Sequence, residues 1–221
     1  MKNLKLLIDK NKIFTLIISG FLFAYILFRS YHQDNIFQIF IYPIIGGIGL
    51  YTLYKGIFDD IESYKKTKKL KSYSITIIGI ILVILNLGIV SYYEIKLNSK
   101  TLFKVENHGV YADFKKNGEY IIKSGSWASR KHFYGKYSLK DSLITIDRKK
   151  FDDVLITDKF VIRNISNAFG ENDNGKTKKY LIQIDENSKE IKNRLLGFDK
   201  SKNEIYDRYF FEVIEDNRNK N

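Results

Sequence analysis

A helical membrane domain followed by an antiparallel β-barrel of about eight strands is the fold class this sequence predicts. Three observations predict it. Three apolar runs fill most of residues 1–96. The hydrophobic period then switches to two, and Gly- or Asn-marked turns recur at short intervals to the C-terminus. The mean hydropathy of −0.25 averages these two unlike halves. Residues 1–96 are accordingly read as the membrane domain and 97–221 as the barrel domain.

The first span covers about residues 13–30 (IFTLIISGFLFAYILFRS), with Lys12 and Arg29 reaching to the headgroups. No small-residue cleavage site follows it, so it reads as a retained span rather than a signal peptide. Gly20 and Ala24 form a small-residue face suited to close helix packing. The second span, about 36–56, contains Pro43 with Gly46, Gly47 and Gly49 close behind it and is expected to kink. Residues 55–74 open acidic (Asp59, Asp60, Glu62) and close with five lysines, which reads as a solvated surface helix. The third span, 75–93 (ITIIGIILVILNLGIVSYY), is ~28 Å long as a helix, close to the thickness of a bilayer core. Asn86 near its middle is expected to hydrogen-bond another helix or a second copy.

Lysines orient these spans. The N-terminus and the second loop hold ten basic residues; the first loop and the stretch after the third span hold four. The N-terminus is therefore expected in the cytoplasm of a bacterial inner membrane, with the barrel in the periplasm. The net charge of +12 is shared between membrane-flanking loops and the barrel, which fits juxtamembrane lysines near anionic lipid better than nucleic-acid binding. With no cysteine, disulfides, thiol catalysis, cysteine-ligated zinc and cysteine lipidation are excluded.

The strands expected in the second half are 101–106, 110–115, the EYIIKS run after Asn117-Gly118, HFYGKYSLK, SLITID, 159–164, 178–185, 191–198 and 207–214. Phe133, Tyr137 and Leu139 share one face, and Ile144 and Ile146 continue it. Short strands between turn signals argue for a barrel or a sandwich. The segments VYADFKKNGEYIIKSGSW, FYGKYSLKDSLITID and KFVIRN resemble the lipocalin-like barrels of bacterial envelope proteins, Bacteroidetes proteins above all. That resemblance covers about residues 101–214 and implies the barrel fold. Its repeated positions are turn glycines and core aromatics, so it implies little about function.

No P-loop, nucleophile elbow, dinucleotide fingerprint or metal-ligand spacing is present. His32, His108 and His132 read as loop or solvent residues, and Asp152, Asp153 and Asp158 lack a calcium-loop pattern. A non-enzyme without cofactor or metal is expected. The candidate ligand-binding residues are the aromatics Tyr111, Tyr120, Trp127, Tyr134 and Tyr137, with Arg130, Lys131 and Arg163 as cations for an anionic ligand or a partner protein. The competing reading is that such aromatics only fill a small barrel. The expected function is a membrane protein presenting a binding barrel to the envelope, in one form an immunity-type protein. The alternative is a membrane-disrupting antiphage effector whose barrel senses a cyclic nucleotide, with spans that oligomerise.

Overall fold

All three apolar runs become helix. In the computed structural model, residues 11–107, 109–126, 128–148, 155, 157–166, 177–191 and 210–218 are described. They fall into two units, Met1–Asn98 and Ser99–Asn221. The first unit holds α1 (Lys12–His32), a short extended segment β1 (Gln33–Asn35), α2 (Gln38–Thr67), a 3₁₀ turn (Leu70–Tyr73) and α3 (Ser74–Leu97). Two stretches, Lys12–His32 and Leu70–Leu97, are long and apolar enough to cross a bilayer. α2 is longer than α1 but diluted by Pro43, Gly46, Gly47, Gly49 and its tyrosines.

This bundle is organised inside out. Large apolar residues such as Phe14, Phe40, Leu50, Ile80 and Ile84 are exposed, whereas Ser19, Thr52 and Asp60 are buried. That arrangement suits lipid better than water, because outward apolar side chains cost nothing in lipid and packing there rests on close contact. Glycines supply the contact. Leu82 of α3 lies against Gly20 of α1, where an added Cβ would sit 2.7 Å from it. Ile75 of α3 fills the space over Gly56 of α2, and Leu53 of α2 fills the space over Gly79 of α3. Ala24 is buried on α1.

Residues 55–67 are not a separate surface helix. They continue α2 without a break to Thr67, and Lys68 ends it in the left-handed region at φ 55°. Asp60 is not on a solvated face either. It is 5 % exposed, and its Oδ2 accepts both the backbone N–H and the hydroxyl of Thr76, each at 2.8 Å. The carboxylate thus satisfies an orphan donor in the first turn of α3 and faces its positive dipole end. Asp59 pairs with Lys12, joining α2 to the start of α1. Histidine 32 closes α1 rather than lying in a loop, with Nδ1 3.0 Å from the Phe28 carbonyl. At the same end Tyr31 stacks on Tyr93 at 4.5 Å and Lys96 lies 4.9 Å over the Tyr92 ring, an aromatic and basic belt of interfacial type.

The second unit is one closed antiparallel barrel of eight strands: β2 (Thr101–Asn107), β3 (Val110–Lys115), β4 (Glu119–Ser126), β5 (Ser129–Lys140), β6 (Leu143–Ile146), β7 (Lys159–Ser166), β8 (Thr177–Ile184) and β9 (Phe210–Asp216). Each pairs with the next in sequence, and β9 returns to β2. That last pairing makes the fold a barrel rather than a sandwich. Asn117-Gly118 turns β3 into β4 with Gly118 at φ +82°, and the Asn117 side chain accepts the Glu119 N–H at 3.1 Å. Asp141, at φ 57°, turns β5 into β6. Of the expected strands, 192–198 and 207–209 lie outside the described residues; Ile191 itself donates to the Gln183 carbonyl at 2.9 Å.

The end of β9 is electrostatically clamped to β8. Asp216 at the end of β9 takes Arg218 through both oxygens, at 2.8 and 2.7 Å, and Lys179 of β8 at 2.7 Å. Those two cations hold its carboxyl far below the usual carboxylate range, Arg218 first and against an opposing contribution from burial. The lowered value means the contribution is present above the unfolded carboxylate pKa of ~3.9 and is lost as pH falls below it. Barrel stability is therefore expected to decline below about pH 4. Asp216→Asn is expected to be less stable at neutral pH and flatter through that window, as read by hydrogen exchange of the β2 and β9 amides at several pH values.

Candidate functional site

Barrel parity sorts the candidate residues. Phe103 and Val105 of β2, Ala112 and Phe114 of β3, Tyr120 and Ile122 of β4, Ile144 and Ile146 of β6, Phe160 of β7, Leu181 of β8 and Phe211 of β9 point inward and form one cluster. Phe133, Tyr137 and Leu139 of β5 pack against it. The void left among these side chains is about 10 Å³, roughly one water-sized probe. Among the described residues this interior is closely packed by its own side chains.

Tyr120 and Tyr137 are members of this packing. Tyr120 is fully buried and donates to Asp147 Oδ1 at 2.7 Å. Its hydroxyl occupies the space a side chain at position 135 would need, so Gly135 opposite it in β5 leaves the room for that ring. Asp147 Oδ2 in turn accepts the Lys136 N–H at 2.9 Å. Tyr137 donates to the Lys115 carbonyl at 2.7 Å and stands edge-on to Phe114, centroids 5.0 Å apart. Burial, with the Asp147 hydrogen bond second, pushes the Tyr120 phenol well up. Burial, followed by the Asp113 charge, pushes Tyr137 up to about 12. A raised phenol pKa favours the folded state fully below the unfolded value of ~10, and that advantage is lost as pH rises through the folded value. In a spectrophotometric titration of the native chain, phenolate absorbance from Tyr137 is expected only near pH 12. Tyr137→Phe is expected to diminish the absorbance rise near pH 12.

The remaining candidates point outward or lie elsewhere. Tyr111 of β3 is exposed. Arg130 and Tyr134 stand on the outer face of β5, Arg130 across from Gly125 and Tyr134 across from Ile121. Lys131 has inward parity near the start of β5, across from Ser124. Arg163 is on the outer face of β7, with β6 between it and β5. Trp127 and His108 lie outside the described residues, as do Asp152 and Asp153. The described members of the set do not converge on one point.

An outer-wall groove gathers some of them. It has a volume of about 350 Å³ and is lined by Lys104, Tyr111, Asp113, Lys123, Arg130 and Ile214, among others. Ile121 has outward parity but is 4 % exposed and forms its apolar floor. Lys104 pairs with Glu215 at 3.0 Å, and Asp113 is taken by Lys115 at 2.8 Å and by the Thr101 hydroxyl at 3.0 Å. Lys123 has no ion-pair partner among the described residues. The groove therefore carries excess positive charge beside exposed Tyr111 and Ile214. Lys104, Lys123, Ile121 and Ile214 escaped sequence reading. Their only signal was alternation with the core positions, and that alternation is shared by every outward residue of a barrel.

In the first unit a second cavity of about 220 Å³ lies among the three helices, lined by Leu16, Gly46, Gly49, Leu53, Leu82 and Asn86, among others. Asn86 donates to the Leu82 carbonyl of its own helix at 2.7 Å, not to another helix, and its Oδ1 has no partner among the described residues. Among the described residues no cluster of His, Cys, Asp or Glu has the makings of a metal site. No protein-family model matches the chain, and no curated protein or solved structure is significantly similar to it.

Proposed function

We propose that this chain is a non-enzymatic, three-span inner-membrane protein that recognises a partner protein on the outer wall of a lipocalin-like barrel held outside the cytoplasm. The observation that carries this reading is the filled interior. A void of about 10 Å³ admits no small ligand, so recognition falls to the wall, where Lys104, Tyr111, Lys123 and Arg130 line a groove suited to an acidic surface. The eight-strand up-and-down order supports the lipocalin likeness. The likeness stops at topology, since lipocalins use a chamber. Cyclic-nucleotide sensing needs an enclosed cleft, and the filled interior does not favour it.

Three spans rather than two are supported by α2. Its Ile39, Phe40, Ile44 and Leu50 are each 63–68 % exposed, which is a lipid-facing pattern. Gln38 at its start donates to the Gln33 carbonyl, just past α1, at 3.0 Å, and Asp60 meets the first turn of α3. The ~22 residues between those points are ~33 Å of helix, enough to cross a bilayer core. With three spans, the lysine asymmetry puts the barrel outside the cytoplasm.

A photo-crosslinking residue at Tyr111, in cells, is expected to give one discrete adduct that Lys123→Glu abolishes. The same residue at Tyr120, inside the wall, is expected to give none. Absence of any adduct from the outer wall refutes the partner reading. An alkaline phosphatase fused to the C-terminus is expected to be active; an inactive fusion with a fluorescent cytoplasmic reporter in its place refutes the topology.

A further inference from the structure

Between α2 and α3 the chain makes a tight, internally bonded turn that carries Lys65, Lys66, Lys68, Lys69 and Lys71, all exposed. The turn is built rather than loose. Thr67 and Ser72 hydroxyls meet at 2.7 Å, and the Ser72 N–H donates to the Lys69 carbonyl at 3.0 Å. Tyr64 and Tyr73 pack with centroids 5.0 Å apart, and Asp60 ties α2 to the first turn of α3. Nearby acids are already engaged: Glu62 takes Lys66 at 2.6 Å, Asp59 takes Lys12, and Asp60 takes Thr76. Lys68 lies 5.8 Å over the Tyr64 ring. The Lys69 and Lys71 side chains have no hydrogen-bond or ion-pair partner among the described residues, and Lys65 has only the longer-range pull of Glu62, which Lys66 already takes. Among them Leu70 is held 79 % exposed.

We propose that this turn is a binding site for the headgroups of anionic phospholipid, with Lys65, Lys69 and Lys71 on the phosphates. The inference rests on the three-span reading. Depth supports it. Lys71 stands four residues before Ile75, the first buried apolar residue of α3. At ~2 Å per 3₁₀ residue that is ~8 Å, about one headgroup layer beyond the hydrocarbon, and a lysine stem spans the remainder. An ammonium near an anionic surface contributes about fivefold in affinity, so three contribute on the order of a hundredfold.

The test uses the full chain in nanodiscs of phosphatidylcholine with and without phosphatidylglycerol, extracted into neutral detergent and analysed by native mass spectrometry. The wild type is expected to retain phosphatidylglycerol over phosphatidylcholine. Combined Lys65→Gln, Lys69→Gln and Lys71→Gln is expected to lose that preference by on the order of a hundredfold. The same positions changed to Arg are expected to keep it, which separates charge from misfolding. Equal retention by the Gln variant, or loss in both variants, overturns the proposal. So does an RNA oligonucleotide that binds the wild type and releases the lipid, since the turn is then a nucleic-acid site. Extraction of the chain by alkaline carbonate tells against the membrane reading instead, independently of the lipid preference.

Discussion

Phe103→Ala is expected to be the most damaging single change in the barrel, at about 3–5 kcal/mol, the usual cost of deleting a fully buried aromatic. Phe103 is 0 % exposed. Its ring stacks on Phe114 at 4.4 Å, stands edge-on to Tyr137 at 6.4 Å, and lies under the Arg218 guanidinium at 5.7 Å. It also sits where β2 meets both β3 and β9, so the hole would open beside the pairing that closes the barrel. The wall cannot collapse into that hole without breaking the β2–β9 register. A fall in the melting temperature of the barrel of roughly 10–20 °C is expected, together with faster hydrogen exchange in β2 and β9. An unchanged exchange rate there contradicts the assignment of Phe103 as the seam residue. Phe103→Leu, which keeps most of the volume, is expected to cost clearly less.

Gly79→Ala is expected to carry the largest effect in the helical unit. A single methyl group at position 79 would meet Leu53 of α2, so the helices must separate or Leu53 must leave its rotamer, at about 1–3 kcal/mol. Gly56→Ala, against Ile75, is expected to behave alike. Gly47 and Gly88 are the internal controls, because nothing lies within 4 Å of a Cβ added to either. Alanine at those two positions is expected to leave the bundle unchanged or to stabilise it slightly through helix propensity. Unfolding of the full chain in mixed micelles distinguishes the two pairs. Equal behaviour of Gly79→Ala and Gly88→Ala refutes packing through glycine contacts.

Much of the barrel was legible in the chain because its signals are local. Val110, Ala112 and Phe114 alternate with Tyr111 and Asp113, and Asn117-Gly118 supplies a left-handed turn position; both needed only neighbours in sequence. Phe133, Tyr137, Leu139, Ile144 and Ile146 were assigned one face by parity, and all five pack on the same core. The candidate site was less legible. Tyr120 and Tyr111 have the same chemistry, yet one is core and the other surface. Only strand register decides which face a tyrosine takes. Asp60 looked like one acid of a solvated run. Its burial depends on α3 returning beside α2, which no local pattern announces.

The apolar lengths, the lysine asymmetry and the switch from unbroken apolar runs to a two-residue period were determined by the sequence alone, since each is a property of consecutive residues. Three things belonged to the tertiary structure: closure of β9 on β2, a filled barrel interior, and the carboxylate of one helix seated on the start of another. The physical reason is common to all three. Each depends on atoms far apart in the chain occupying one volume, and excluded volume and hydrogen-bond geometry act on that volume rather than on the order of residues.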